Sequence, residues 1–326
     1  MANPRNLSSL QAKVWNGSIP LEIRLASSDC RNYDESDPYL VMCPRLSYIP
    51  LLLPRLHAFF SPFLIDPDVA PSKGWLSFED VPLKWHYPVG LLFDLYSGID
   101  PATAPDPNEP NPEPQPSLSP RDLEAESAVL PWRLTIRYTE WPSKQLIKLD
   151  DNGKVMHDAF INSVKEADFL RNGTAKVVMS LSKDDSTQLW TSVQKMNLEG
   201  FNAINQKLLN PRGSNLRHIP IKLYLPHAAP DSEEGAPAPG TVRVVQAIVK
   251  PLISNRQAQT LGTALKSILP TLFQSTRRPM LAQPVLHGAA VPLSANVHDL
   301  LRAAAYADGW LHVVGEIDLV HYIDYL

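Results

Sequence analysis

The sequence predicts an α+β fold in which two small mixed-sheet modules flank a helix-rich middle, with a short helix ahead of the first module. Three observations predict it. Alternating apolar runs, the mark of half-buried strands, stand near both ends of the chain. Apolar residues at helical spacing occupy the stretch between them. The order of elements also recurs in the two end regions.

In chain order, Leu7–Val14 suits a short helix. Ile19–Leu25 alternates (Ile19, Leu21, Ile23, Leu25), so one face of a strand is buried, and Tyr39–Cys43 reads as a second strand. Leu51–Leu64 has the spacing of a helix in spite of its prolines. Trp75–Phe78 and Leu83–Trp85 are short strand candidates, Val89–Tyr96 a short helix, and Trp132–Tyr138 alternates again. In the middle, Met156, Phe160, Val164 and Ala167 define one buried stripe of a helix over Asn152–Arg171 that Asp150 or Asp151 can cap. Gln188–Met196 and Phe201–Leu209 add two helices that end before Pro211.

Toward the end, Ile219–Leu225 alternates, Val242–Val249 gives a second strand, and Thr260 caps a helix over Leu261–Leu269 that Pro270 stops. Pro284–Leu286, Ala295–Ala304 and Trp310–Glu316 follow as short strand, short helix and strand. Strand, strand, helix, short strand, short helix, strand is the order of a β-grasp, or ubiquitin-like, module. A doubly wound sheet needs long helices alternating with strands throughout, which this chain lacks. The predicted organisation is an N-terminal helix over 1–16, a first ubiquitin-like domain over 17–148, a helix-rich domain over 149–214 and a second ubiquitin-like domain over 215–326. Residues 99–128 are dominated by Pro, Asp, Asn, Glu and Ser, too polar to offset their ordering entropy, and are expected to be a disordered insertion. A shorter flexible insertion is expected over 226–240.

With 44% hydrophobic residues the chain holds enough apolar material for real cores. Thirty basic against 34 acidic residues give a net charge of −4, without the basic excess a nucleic-acid binder shows. Only Cys30 and Cys43 are present, which fits a reducing compartment better than a disulfide framework. Residues 1–16 contain no apolar signal-peptide region, and the richest apolar run, Ile49–Pro62, is broken by Pro50, Pro54 and Pro62, short of the ~18 residues a membrane span needs. The three glycosylation patterns at Asn6, Asn16 and Asn172 are therefore read as chance, and the location as cytoplasmic.

Catalytic signatures are few. No phosphate-cradling glycine loop and no Cys or His pair at metal-ligand spacing occurs, so no catalytic residue, metal or cofactor is expected. His86, between aromatics in Trp85-His86-Tyr87, reads more readily as a packed or interface residue than as a general base. Cys43 lies inside an apolar strand and Cys30 lacks an activating neighbourhood, so neither makes a convincing thioester-forming nucleophile. Lys165 follows the buried Val164 and stands about 100° round the helix from it, at the border of core and solvent. Periodicity alone assigns it an ordinary ion pair with Glu166 or Asp168.

The run Pro82-Leu83-Lys84-Trp85-His86-Tyr87-Pro88-Val89-Gly90-Leu91-Leu92-Phe93-Asp94-Leu95 closely resembles the signature segment of the autophagy protein 5 family. Val14-Trp15-Asn16-Gly17-Ser18-Ile19-Pro20, Pro44-Arg45-Leu46-Ser47-Tyr48, Leu130-Pro131-Trp132, Val164-Lys165-Glu166-Ala167-Asp168, Gln188-Leu189-Trp190, Ala203-Ile204-Asn205-Gln206-Lys207-Leu208, Ile219-Pro220, Thr260-Leu261-Gly262 and His287-Gly288 match in the family's order. The resemblance covers almost the whole chain outside the two insertions.

It implies two ubiquitin-like domains around a helix-rich one. It also implies a non-catalytic scaffold that receives an isopeptide bond from the ubiquitin-like modifier autophagy protein 12 on a lysine matching Lys165. The N-terminal helix of autophagy protein 16 is implied to bind in a groove. The assembled complex promotes lipidation of autophagy protein 8 on phosphatidylethanolamine, with peripheral recruitment to the preautophagosomal membrane. Trp85 and His86 are placed near the conjugated modifier, or alternatively hold the first module against the helical domain.

Overall fold

The computed structural model describes residues 4–31, 36–97, 130–209, 216–226, 242–254 and 257–317. The two predicted insertions, 99–128 and nearly all of 226–240, lie outside the described residues.

Helix α1 spans Pro4–Asn16, longer at both ends than the apolar spacing indicated. Strand β1 (Ser18–Leu25) then hairpins onto β2 (Tyr39–Pro44). The region read as one helix over Leu51–Leu64 is instead helix α2 (Leu53–Phe60) between two 3-10 turns, Ile49–Leu51 and Ser61–Phe63. Pro50, Pro54 and Pro62 each sit at the first or second position of their own segment, where a missing N–H costs nothing. Strand β3 (Trp75–Phe78) pairs with β4 (Val81–Pro82), not with the expected Leu83–Trp85. Glu79 and Asp80, at φ 47° and 62°, form a two-residue turn whose twist matches a hairpin, so pairing starts at once and Trp85 falls into the next turn.

Helix α3 (Val89–Tyr96) and strand β5 (Trp132–Arg137) complete the first module. Its sheet order is β2-β1-β5-β3-β4, with β5 parallel to β1. The alternation seen in Ile19, Leu21, Ile23 and Leu25 is the buried face of β1, packed with Trp132, Leu134 and Ile136 of β5 in the core.

The helical part comprises α4 (Lys154–Asn172), α5 (Lys176–Met179), α6 (Lys183–Gln194) and α7 (Leu198–Leu209). Asp150 is the cap of α4, accepting from the N–H groups of Lys154 at 3.0 Å and Val155 at 2.8 Å. Those backbone donors hold its carboxyl below the ordinary range. Asp151 instead accepts from the Ser72 hydroxyl. Helix α6 starts five residues earlier than predicted because Ser182 caps it through the Asp185 N–H at 3.0 Å.

The second module repeats the first. Strands β6 (Ile219–Pro226) and β7 (Val242–Val249) form a hairpin, and a small β8–β9 hairpin (Leu252–Ser254, Gln257–Ala258) follows. Helix α8 (Leu261–Ile268) carries the expected Thr260 cap, here a reciprocal box with Thr263. Strand β10 (Ala282–Leu286) turns through His287 and Gly288 (φ 54° and 76°) into β11 (Ala289–Ala290). Helix α9 (Val297–Ala304) and strand β12 (Leu311–Ile317) end the described chain.

Sheet order β11-β10-β12-β6-β7, with β12 parallel to β6, is the first module's order written backwards. Two β-grasp sheets, each with its last strand inserted beside its first, are thus present. By packing, the chain divides into two compact units: one holds the first sheet and residues 17–97 and 130–159, the other holds α1, the helices from Phe160 onward and the second sheet. In this second unit Trp15 of α1 donates its indole N–H to the Met196 carbonyl at 2.8 Å and packs on Phe201, while Gln11 and Asn202 exchange amide hydrogen bonds.

Candidate functional site

Helix α4 carries Lys165, and its apolar stripe fixes how that residue is displayed. Met156, Phe160, Val164 and Ala167 are all at most 2% exposed, so the stripe is core throughout. Phe160 packs against Trp190, the rings tilted by 39° with their centres 5.0 Å apart. Lys165, one residue past Val164, is half-buried at the rim of that face.

The two carboxylates that spacing offered to Lys165 are engaged elsewhere. Asp168 is fully buried, accepts from Asn172 Nδ2 at 2.6 Å and from the Val178 N–H at 3.2 Å, and so ties α4 to α5. Glu166 faces Lys222 of β6, with Nζ 3.5 Å from Oε2. Among the described residues no hydrogen bond or ion pair engages the Lys165 amine.

Flanking Lys165 on the same helix is a buried polar chain. The Ser163 hydroxyl donates to Asp308 Oδ2 at 2.7 Å, and the Ser163 carbonyl accepts from Trp310 Nε1 at 3.0 Å. Asp308 also lies 3.0 Å from His312 Nε2, and His312 Nδ1 lies 2.8 Å from the Tyr224 hydroxyl. Burial pushes the Asp308 carboxyl up, but His312, together with hydrogen bonds from His312, Ser163 and the Trp310 N–H, outweighs burial and holds it below the usual carboxylate range. Burial draws the Arg171 guanidinium down to about 10 against the opposing pull of Asp168 and Asp308. Residues 308–310 form a tight turn that needs Gly309 at φ +85°.

A serine, a histidine and an aspartate in contact invite comparison with a hydrolytic triad, but the order is wrong. Ser163 bonds to the carboxylate and not to the imidazole, and His312 is only 3% exposed. The cluster is a buried brace.

Cys43 is fully buried, its thiol pushed up to about 12 by burial despite a hydrogen bond with Ser47, so it stays protonated and unreactive at neutral pH. Trp85, expected on a partner surface together with His86, is 4% exposed and donates its indole N–H to the Ile147 carbonyl at 2.8 Å. Its ring is packed into the first module, because an indole in a core has both its apolar faces and its one donor satisfied there. His86 is exposed, with the Tyr87 ring 4.4 Å away.

Sequence reasoning missed Ser163, Asp308 and Trp310. An Asp-Gly pair such as Asp308-Gly309 is a turn signal, but nothing local marks which helix that turn touches.

Elsewhere in the family-like segments, close approach explains a glycine. A Cβ on Gly90 would lie 2.7 Å from Arg45 Cβ and 2.9 Å from its carbonyl oxygen. Arg45 itself forms an ion pair with the buried Asp94.

Comparison with known proteins agrees with this architecture. Three family models match in succession: "Autophagy protein ATG5, UblA domain" over residues 14–138, "Autophagy protein ATG5, alpha-helical bundle region" over 153–211 and "Autophagy protein ATG5, UblB domain" over 218–314. The chain is 57% identical over 316 residues to autophagy protein 5 of Phaeosphaeria nodorum, covering 96% of this chain and 98% of that one. It is 52% identical to autophagy protein 5 of Neosartorya fischeri, covering 96% and 97%. The crystal structure of Kluyveromyces marxianus Atg5 superposes with a TM-score of 0.70 at 20% identity over 95% of this chain and the whole of that one, which shows the shared fold. The α+β architecture of two ubiquitin-like domains with a helical bundle, the family models and the full-length relatives converge: this chain belongs to the autophagy protein 5 family, and its role lies in autophagy.

Proposed function

We propose that this chain is a non-catalytic scaffold whose Lys165 receives the C-terminal carboxyl of the modifier autophagy protein 12. The observation that carries the proposal is the state of that amine: half-buried on a rigid helix, with Glu166 and Asp168 both turned to other partners. In the transfer, Lys165 gives up one ammonium proton, and its lone pair adds to the thioester carbonyl carbon of a charged conjugating enzyme. The carbon–sulfur bond then breaks, the cysteine thiolate leaves and the new amide nitrogen loses a second proton. An amine whose ordinary pKa is near ~10.4 needs a base for the first step, and the conjugating enzyme supplies it.

The rest of the scaffold role follows the same logic. Autophagy protein 16 contributes an amphipathic helix to a groove on this chain. The complex then acts by position, raising the effective concentration of a charged conjugating enzyme beside phosphatidylethanolamine at the preautophagosomal membrane, to which it is recruited peripherally from the cytoplasm. No helix among the described residues is long and apolar enough to cross a membrane. His86 belongs to the surface that faces the attached modifier, and the buried Trp85 holds the turn that presents it.

Co-expression with the conjugation machinery tests the proposal. A species heavier by one modifier is expected from the parent chain and none from Lys165→Arg; an undiminished heavier band from the variant contradicts the assignment.

A further inference from the structure

Lys165 has a flexible four-carbon stem, so the stem supplies reach but no aim. Aim comes from the rotation of α4 about its own axis. Four directed contacts set that rotation within six residues of chain, Ser163 to Asp168. The Ser163 hydroxyl is held by Asp308 at 2.7 Å and the Ser163 carbonyl by the Trp310 indole at 3.0 Å. Glu166 meets Lys222, whose ammonium also lies over the Trp310 ring at 4.1 Å, and Asp168 accepts from the Val178 N–H of α5 at 3.2 Å. Trp310 is fully buried and Asp308 5% exposed, so neither anchor swings away. Hydrophobic packing tolerates small rotations of a helix, whereas hydrogen bonds at these lengths do not. A mid-helix carbonyl keeps a spare lone pair, and here it is used for a contact that packing alone does not need.

We infer that Asp308 and Trp310, acting through Ser163, are positioning residues for the Lys165 amine, so that the second ubiquitin-like module aims the acceptor helix at the incoming thioester. This inference rests on Lys165 being the acceptor. It assigns a task to the pair 308 and 310 beyond stabilising their own turn: they select Lys165 over the exposed Lys154 and Lys176 nearby in the sequence.

The test uses the full chain in single-turnover transfer from a charged conjugating enzyme, with peptide mapping of the branch and, in parallel, acetylation of Lys165 by a small water-soluble ester. Ser163→Ala removes the hydroxyl bond, Trp310→Phe removes the indole donor together with part of the buried ring, and Ser163→Thr keeps a hydroxyl. A misaimed acceptor costs rate more than binding, so both disrupting variants are expected to transfer about tenfold more slowly at saturating acceptor concentration, with the half-saturating concentration unchanged. Branches are expected to spread to Lys154 or Lys176, and Ser163→Thr to recover most of the rate. Acetylation of Lys165 and the melting temperature (within about 4 °C of the parent) are expected to hold. Transfer to Lys165 at the parent rate in both disrupting variants overturns the positioning role. A parent branch that maps away from Lys165 overturns the acceptor assignment itself and the positioning role with it.

Discussion

The ammonium of Lys222 lies 4.1 Å from the centre of the Trp310 ring. It also meets Glu166, so one side chain of β6 links the turn before β12 to helix α4. Glu166 is more than half exposed, which screens the ion pair, while the face of a buried indole is a low-dielectric partner. Lys222→Met is therefore expected to lower stability by about 1 kcal/mol, nearly independent of salt between low and high ionic strength. Urea unfolding at two salt concentrations checks this; a loss that vanishes in high salt assigns the effect to Glu166 instead.

Gly90 has no room for a side chain. A Cβ there meets Arg45 Cβ at 2.7 Å and the Arg45 carbonyl at 2.9 Å, neither of which can yield without moving backbone. Gly90→Ala is expected to cost roughly 1–3 kcal/mol by overpacking and to weaken the Arg45–Asp94 pair. Chemical denaturation reports the first effect. An unchanged midpoint contradicts the close approach.

The two cysteines should differ sharply in reactivity. With Cys43 buried and its thiol raised to about 12, a thiol reagent at pH 8 is expected to titrate the half-buried Cys30 in the native chain and both residues only in denaturant. Because the folded value exceeds the unfolded one near 9, the unfolded chain releases its proton first. The neutral thiol's contribution is thus full below about pH 9 and lost as pH rises toward 12, by at most about 1.4 kcal/mol per pH unit. The difference between parent and Cys43→Ala across that window isolates it. Lipidation activity that survives Cys30→Ser together with Cys43→Ser supports a scaffold; its loss points to a thioester-forming enzyme.

Asp308 gives the opposite limb. Its folded pKa lies below the unfolded one, so its stabilisation is present above the ordinary carboxylate range and is lost as pH falls through the folded value. Asp308→Asn is expected to flatten the acid limb of the stability profile. An acid limb of unchanged slope removes Asp308 from the brace.

Trp85 and His86, adjacent in sequence, should separate in experiment. Trp85→Phe deletes the donor to the Ile147 carbonyl and is expected to cost about 1 kcal/mol without lowering conjugation of the folded chain. His86→Ala, at an exposed position, is expected to leave unfolding unchanged and to weaken contact with the attached modifier. The reverse pattern contradicts both roles.

The sequence disclosed what one-sided burial writes into it. Ile19, Leu21, Ile23 and Leu25 alternate because each second residue of β1 faces the core, and Met156, Phe160, Val164 and Ala167 repeat because one stripe of α4 does. Strands of two or three residues, β8, β9 and β11, are too short to carry a period. Apolar spacing read Leu51–Leu64 as one helix in spite of its prolines, yet which pieces are helical depends on where each proline falls in its turn. Lys165 became a candidate through family resemblance, since periodicity pairs it with its neighbours. What frees it, Glu166 turning to Lys222 and Asp168 to Val178, depends on tertiary contacts that no local pattern encodes. The brace from Ser163 to Asp308 joins residues far apart in the chain, and for the same reason it was invisible.

Peptide mapping of the isolated conjugate decides whether Lys165 is the acceptor. A single branched peptide is expected, in which the modifier's C-terminal glycine is joined to the ε-amine of Lys165. A branch on Lys154, Lys176 or any other lysine, with Lys165 unmodified, contradicts it.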